Sequence, residues 1–99
     1  MLNIIKNANG SSLKYSLEGR LDTTTVSQLD QALEGALEGV TDLTFDIEKL
    51  EYISSAGLRV LLSCQKTMNK QGTMVITNVS EEVQEIFDVT GFTSILTIK

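Results

Sequence analysis

From Val26 onward the chain alternates two hydrophobic periods, and few folds accommodate that alternation. Val26, Leu29, Leu33, Ala36, Leu37 and Val40 recur at helical spacing and make one apolar stripe. "DLTFDI" then sets Leu43, Phe45 and Ile47 on one side of a strand. A second helix is predicted from the serines at 54 and 55 to about Lys70, followed by a strand over "TMVIT", a third helix after Ser80 and a short last strand in "SILTI". Ahead of these, "LNIIK" and "LKYSL" flank the turn-rich "NANGSS", and Leu13, Tyr15 and Leu17 alternate with polar residues, which predicts a hairpin. "EGRLD" then leaves the sheet. The expected order is β-β-α-β-α-β-α-β. Alternating strands and helices imply right-handed crossovers, hence an α/β fold with a mixed, mostly parallel sheet and helices packed against it.

Punctuation residues support these elements. Thr25-x-x-Gln28 fits a capping box and Gly39 a helix stop, while Asp46 is expected to end its strand near the rim. Ser80 is a suitable N-cap, with Glu81 and Glu82 in the first turn where the helix dipole favours negative charge, and Gly91 closes that helix.

The 99 residues are expected to form one domain, 1–99, with 41% apolar and 21% charged residues, a globular balance. No apolar run approaches the ~20 residues of a membrane span, and "MLNIIKNANG" is not a signal peptide, so no membrane partner and a cytoplasmic location are the default expectation. A lone cysteine, Cys64, and no histidine come close to excluding a zinc site and remove the usual base of Ser or Cys catalysis. Cys64 falls in a buried arc and reads as a small core residue. The net charge of −5, with Arg20 and Arg59 the only arginines, disfavours direct nucleic-acid binding but not a protein partner. Lys66 and Lys70 lie about three to four turns beyond Ser55, too far to serve it as base. No P-loop pattern occurs, and Glu81/Glu82 read as helix-start charges. The expectation is a binding protein, not an enzyme, with no catalytic residue, metal or cofactor.

The serines in "LEYISSAGLRVLLSCQK" separate on a helical wheel. Leu58, Leu61, Leu62, Cys64 and Met68 form a buried arc with Gly57 and Val60 at its side, and Arg59, Ser63, Lys66 and Lys70 form the wet arc. Ser55 falls within about 40° of Arg59, whereas Ser54 either points towards Leu58 and Leu61 or, the favoured reading, caps the helix from just outside it. On pattern alone both serines are ordinary helix-start residues, but an exposed hydroxyl in the first turn is also reachable by another enzyme. A phosphate there meets free amides and the positive end of the dipole, and Arg59 stands four residues on to pair with it. Tyr52, just before, reads equally as an interface aromatic or a core-facing loop residue.

"FDIEKLEYISSAGLRVLL" resembles the signature of STAS domains, in particular of bacterial anti-sigma factor antagonists. "EGRLDTTT" is similar to the family's Gly-x-Leu-Asp segment, and "VQEIFDVTGFTSIL" to its closing helix-turn-strand. Three separated segments thus coincide in order and spacing. Residue by residue, Gly57 and Leu58 match the Gly-Leu, Ser55 the phosphorylatable serine and Asp22 the loop acid beside it. The resemblance implies a partner surface of Asp22, Thr23, Ser54, Ser55, Ala56, Gly57 and Arg59. It implies that the unmodified protein binds an anti-sigma factor that is also a serine kinase, freeing sigma factor, until phosphorylation of Ser55 ends binding. A metal-dependent Ser/Thr phosphatase then resets the cycle. Here Ser54 stands where the family has Asp, Ala56 replaces its second hydroxyl, and Arg59 replaces a usually small residue. The alternative within the family is a module without a phosphorylation switch, serving a lipid or anion transporter or a stress-sensing scaffold.

Overall fold

The computed structural model describes residues 2–99. Strands β1 (Leu2–Asn9) and β2 (Ser12–Leu21) form an antiparallel hairpin, with Leu2 opposite Gly19 and Asn9 opposite Ser12. Helix α1 (Val26–Leu33), strand β3 (Asp42–Ile53), helix α2 (Ser55–Met68), strand β4 (Thr73–Thr77) and helix α3 (Glu81–Thr90) follow. Among the described residues the sheet has the order β1-β2-β3-β4, with β2, β3 and β4 parallel. Leu13, Tyr15, Leu17, Leu43, Phe45, Ile47, Met74 and Ile76 alternate along the strands onto one buried face, against Leu29, Leu58, Leu61, Met68, Val83 and Phe87 of the helices. Each large aliphatic side chain sealed there stabilises the fold by about 1.5–3 kcal/mol relative to exposure. Tyr15 stacks on Phe45 with ring centroids 5.9 Å apart, and its hydroxyl donates to the carbonyl of Ala32 in the last turn of α1. Burial raises the Tyr15 pKa, so the phenol stays a neutral donor.

Several boundaries differ from the expected ones, each for a local reason. β2 does not leave the sheet at Glu18 but runs on to Leu21. β3 continues seven residues past Asp46, which lies mid-strand opposite Ser16 and Thr77. Two register shifts explain this: Ser16 pairs Asp46 but Glu18 pairs Lys49, and Gly19 pairs Leu50 but Arg20 pairs Tyr52. Each shift inserts an extra β3 residue, so the buried positions recur as Ile47, Leu50 and Ile53 instead of every second residue.

Helix α1 is shorter than its stripe. It stops at Leu33, after which Gly35 and Gly39 take φ of +71° and +80°. Only glycine adopts that region freely, so the two glycines convert the second half of the predicted helix into turns. Gln71 holds those turns, its amide donating to the carbonyls of Leu37 at 2.6 Å and Val40 at 2.7 Å. The Thr25–Gln28 capping box does not form. Thr25 is itself helical in φ/ψ, and its hydroxyl donates to the Arg20 carbonyl at 2.8 Å while accepting from Asp22 N–H at 2.9 Å. The last strand reduces to a single parallel bridge, Ile76 with Ile98, preceded by a 3₁₀ turn over Phe92–Ser94. Ser80 caps α3 and Gly91 ends it with φ +81°, as expected.

Asp46 clips the first register shift. One carboxylate oxygen accepts from Glu48 N–H and from the Asn78 amide, both at 3.1 Å, and Lys14 Nζ lies 3.7 Å from the other. Among the described residues Asn78 is the non-glycine residue held at positive φ, +58°, so its side chain stabilises a turn its backbone disfavours. Partial burial pushes the Asp46 carboxyl up, but the bonds from Asn78 and Glu48 with the charge of Lys14 outweigh it, leaving the pKa below the usual carboxylate value. A group whose pKa is lowered in the folded state stabilises it above the unfolded value and loses that contribution as pH falls through the folded one. Acid titration of the thermal midpoint should therefore show a drop below the ordinary carboxylate range that is shallower in Asp46→Asn. At neutral pH that variant should lose about 1–3 kcal/mol, because it turns an acceptor pair into a mixed amide. An identical acid profile in both proteins would remove Asp46 from this role.

Candidate functional site

The end of β2, the end of β3 and the start of α2 meet at one rim of the sheet. Leu21 pairs with Ile53, and the residue just after β3, Ser54, donates its N–H to the Leu21 carbonyl at 2.8 Å. That bond sets the loop of Asp22, Thr23 and Thr24 beside the two serines. Ser54 is the N-cap of α2, extended at φ −91° and ψ 174°; its Oγ accepts from Gly57 N–H at 3.4 Å and its carbonyl accepts from Leu58 N–H at 2.9 Å. A cap of this kind contributes about 1 kcal/mol. Ser55 is the first helical residue and is exposed. Its hydroxyl stands at the positive end of a fourteen-residue helix, where first-turn amides have no intrahelical acceptor.

The rest of the sequence-derived set divides by exposure. Thr23 and Arg59 are exposed, and Asp22, Ser54 and Ala56 are half-buried. Gly57 is buried within the domain. A Cβ there would stand 2.8 Å from Ile53 Cγ1 and Leu21 Cγ and 2.9 Å from Leu21 Cδ2. The missing side chain of Gly57 lets α2 close onto the ends of β2 and β3.

Asp22 organises the loop. Its Oδ1 accepts from the Thr24 hydroxyl at 2.7 Å, Thr24 N–H at 3.0 Å and Thr25 N–H at 3.2 Å. The Thr24 hydroxyl first, then the Thr24 and Thr25 N–H groups and the Thr25 hydroxyl, hold its pKa below the usual range against slight desolvation, so it is ionised at neutral pH. The pattern of the sequence did not show its neighbour on the open face. Arg20 lies over the Tyr52 ring, 4.6 Å from the centroid, and its Nε is 3.6 Å from Asp22 Oδ2. Tyr52 is thus neither a loop residue nor core-facing; it is a strand residue, 36% exposed. The signal that joins it to Arg20 is the shifted β2–β3 register, which appears only once both strands are extended past their period-2 runs.

Among the described residues no three His, Cys, Asp or Glu side chains come together as a metal site, and no helix is long and apolar enough to cross a membrane. Burial first, and the charge of Asp30 second, push the Cys64 thiol up to about 12, so it is no nucleophile at neutral pH. A cleft of about 440 Å3 between α1 and α2, with Leu33, Leu37, Val60 and Cys64 in its wall, does not include Ser55.

A four-stranded sheet covered by helices thus carries the exposed Ser55 hydroxyl at a helix tip on its rim. The sequence model of the STAS domain matches residues 3–99, and the chain belongs to that family. It is 34% identical over 84 residues to BtrV of Bordetella bronchiseptica, provisionally named an anti-sigma factor antagonist, covering 83% of this chain and 72% of that one. To the anti-sigma-B factor antagonist of Bacillus subtilis it is 28% identical over 98 residues, 98% of this chain and 90% of that one. The Bacillus cell-fate determinant SpoIIAA shares the fold at 19% identity: TM-score 0.77 for the unphosphorylated form, covering 98% of this chain and 87% of that one, and 0.76 for the phosphorylated form, covering 98% and 91%.

Proposed function

We propose that this chain is an anti-sigma factor antagonist whose binding is switched off by phosphorylation of Ser55. In the unmodified state its rim docks on an anti-sigma factor that is also a serine kinase, and sigma factor is freed. The kinase then transfers the γ-phosphoryl group of ATP to Ser55 Oγ: the O–P bond forms, ADP leaves, and the hydroxyl proton passes to a base of the kinase. A metal-dependent Ser/Thr phosphatase hydrolyses the phosphoserine, returning the hydroxyl and releasing phosphate. The observation that carries this reading is the exposure of Ser55 as the first residue of α2, while Ser54 is engaged as its cap. The names of BtrV and the Bacillus subtilis relative support the antagonist role, and the two forms of SpoIIAA support a phosphorylation switch on this scaffold.

The modification is compatible with the fold. A phosphate adds about −1.5 to −2 charges and three acceptor oxygens. At Ser55 it meets the unpaired amides and dipole of α2, with Arg59 one helical turn away. The family's Asp is Ser54 here, so the acceptor hydroxyl is prepared by a neutral cap, not by a neighbouring charge. Incubation with ATP and the purified anti-sigma factor kinase of the organism that encodes this chain, followed by mass mapping, should place one phosphate on Ser55 and none on Ser55→Ala. Phosphate on another residue, or none on the wild type, would remove the switch.

A further inference from the structure

We propose that the cleft between α1 and α2 is a second part of the docking surface, and that it receives a basic side chain, lysine or arginine, of the anti-sigma factor. This rests on the antagonist reading and adds the charge and the place of one partner contact. The cleft holds about 440 Å3, within the size range of clefts that take ligand groups. Half-buried Leu33 and Leu37 from the α1 side and buried Val60 and Cys64 from α2 make its floor. Asp30 and Glu34, both exposed and one helical turn apart, stand at its edge. Among the described residues neither carboxylate has a salt-bridge partner, and no lysine or arginine lines the cleft. After burial, the charge of Asp30 is what raises the pKa of Cys64, so that carboxylate lies close to the inner wall.

An apolar floor beneath two unpaired carboxylates fits one kind of side chain. Lysine and arginine lay an aliphatic stem along apolar surface and keep their charge at the tip. An acidic side chain would be repelled by both carboxylates, and a purely apolar one would desolvate them without giving them a partner. The cleft is also continuous with the rim that presents Ser55. At ~100° per residue, half-buried Ala56 lies within about 40° of Val60 and about 20° of Ser63, the α2 residues that line the cleft. Ser63 is eight residues beyond Ser55, about 12 Å along the axis. A standard interface of about 800 Å2 per partner has a radius of roughly 16 Å, so one footprint on this side of α2 covers both. A base seated between Asp30 and Glu34 thus orients the partner over the hydroxyl.

The test measures affinity for the purified anti-sigma factor kinase, without ATP, for wild type, Asp30→Asn, Glu34→Gln, their double variant, Ser63→Trp and Ser55→Asp. A control carries Glu82→Gln with Glu85→Gln, which removes the same charge from exposed positions of α3. Each single cleft variant should bind about fivefold more weakly and the double variant about thirtyfold or more. Ser63→Trp, at an exposed position, should fold normally, crowd the cleft and bind at least about tenfold more weakly. The control should bind as wild type. Raising salt from about 0.05 to about 0.5 M should weaken wild type far more than the double variant. The thermal midpoint of the double variant should not fall, because like charges four apart on a helix repel. If wild type binds and Ser55→Asp does not, but the double variant and Ser63→Trp bind as wild type, the cleft is overturned and the antagonist reading stands. Equal losses in the control and the double variant would trace the effect to net charge and overturn the cleft as well. If wild type itself fails to bind, both readings fall.

Discussion

Ser55→Asp should fold as wild type does and lose at least about a hundredfold in affinity for the anti-sigma factor, whereas Ser55→Ala should bind normally and stay bound when ATP is added. The first half follows from exposure: the side chain packs against nothing sealed, and a carboxylate at the head of α2 is favoured by its dipole. Far-UV dichroism and the thermal midpoint should be unchanged or slightly raised. The second half follows from desolvation. A partner that covers Ser55 must strip water from the new charge or leave a gap, and like charges brought together at an interface cost several kcal/mol. About 3 kcal/mol already exceeds a hundredfold in dissociation constant. Aspartate carries one negative charge where phosphoserine carries nearly two, so the true phosphoform should bind more weakly still. Ser55→Ala keeps the docking surface but offers no oxygen to phosphorylate, and the complex loses its release step. Equal affinity of the two variants would show that the switch lies elsewhere.

The parts of this domain readable from its sequence are those in which one period governs a whole element. "TMVIT", the start of β3 and the arc of α2 obey a single periodicity, and Ser54 and Ser80 cap where helix chemistry requires an oxygen. What escaped was decided by pairing. In "IEKLEYI" the buried residues Ile47, Leu50 and Ile53 are three apart, a spacing that looks helical but here arises from two register shifts against β2. Those shifts depend on a strand some thirty residues earlier, which no local window contains. The Arg20–Tyr52 stack was hidden for the same reason, since it exists only across that register. The Thr25 capping box failed because Asp22, three residues before it, takes the Thr25 N–H that Gln28 would have reached back to, while the threonine hydroxyl binds the strand that the chain has just left. The turns after Leu33 carry apolar residues at helical spacing, yet the glycines at 35 and 39 decide the backbone. In the second half of the predicted helix conformational freedom thus outweighed the hydrophobic pattern. Ser55 itself was legible because its position depends only on where α2 begins.

Two glycines offer a way to separate the stability of the scaffold from the presentation of that hydroxyl. Gly72→Ala should be the more damaging to stability: its Cβ would lie 2.0 Å from the carbonyl oxygen of Thr41, a backbone atom that already accepts from Thr73 N–H at 2.9 Å. A carbonyl held in that bond cannot swing aside as a side chain can, and the expected cost is about 3 kcal/mol, roughly 12–24 °C in the thermal midpoint of a domain this size. Gly57→Ala meets Leu21 at its branch-point Cγ and Ile53 at Cγ1, carbons that the core holds in place. Overpacking there costs about 1–3 kcal/mol, and the better helix propensity of alanine returns up to about 1 kcal/mol. The milder variant should nevertheless be the one that impairs function, because relief of its clash lifts the first turn of α2, and with it Ser55, away from the loop of Asp22. Below its own unfolding transition, Gly72→Ala should bind the anti-sigma factor as wild type does, while Gly57→Ala should bind several-fold more weakly and be phosphorylated more slowly. The inverse ordering, with Gly72→Ala impaired in binding and Gly57→Ala intact, would mean that the docking surface lies at the opposite end of α2.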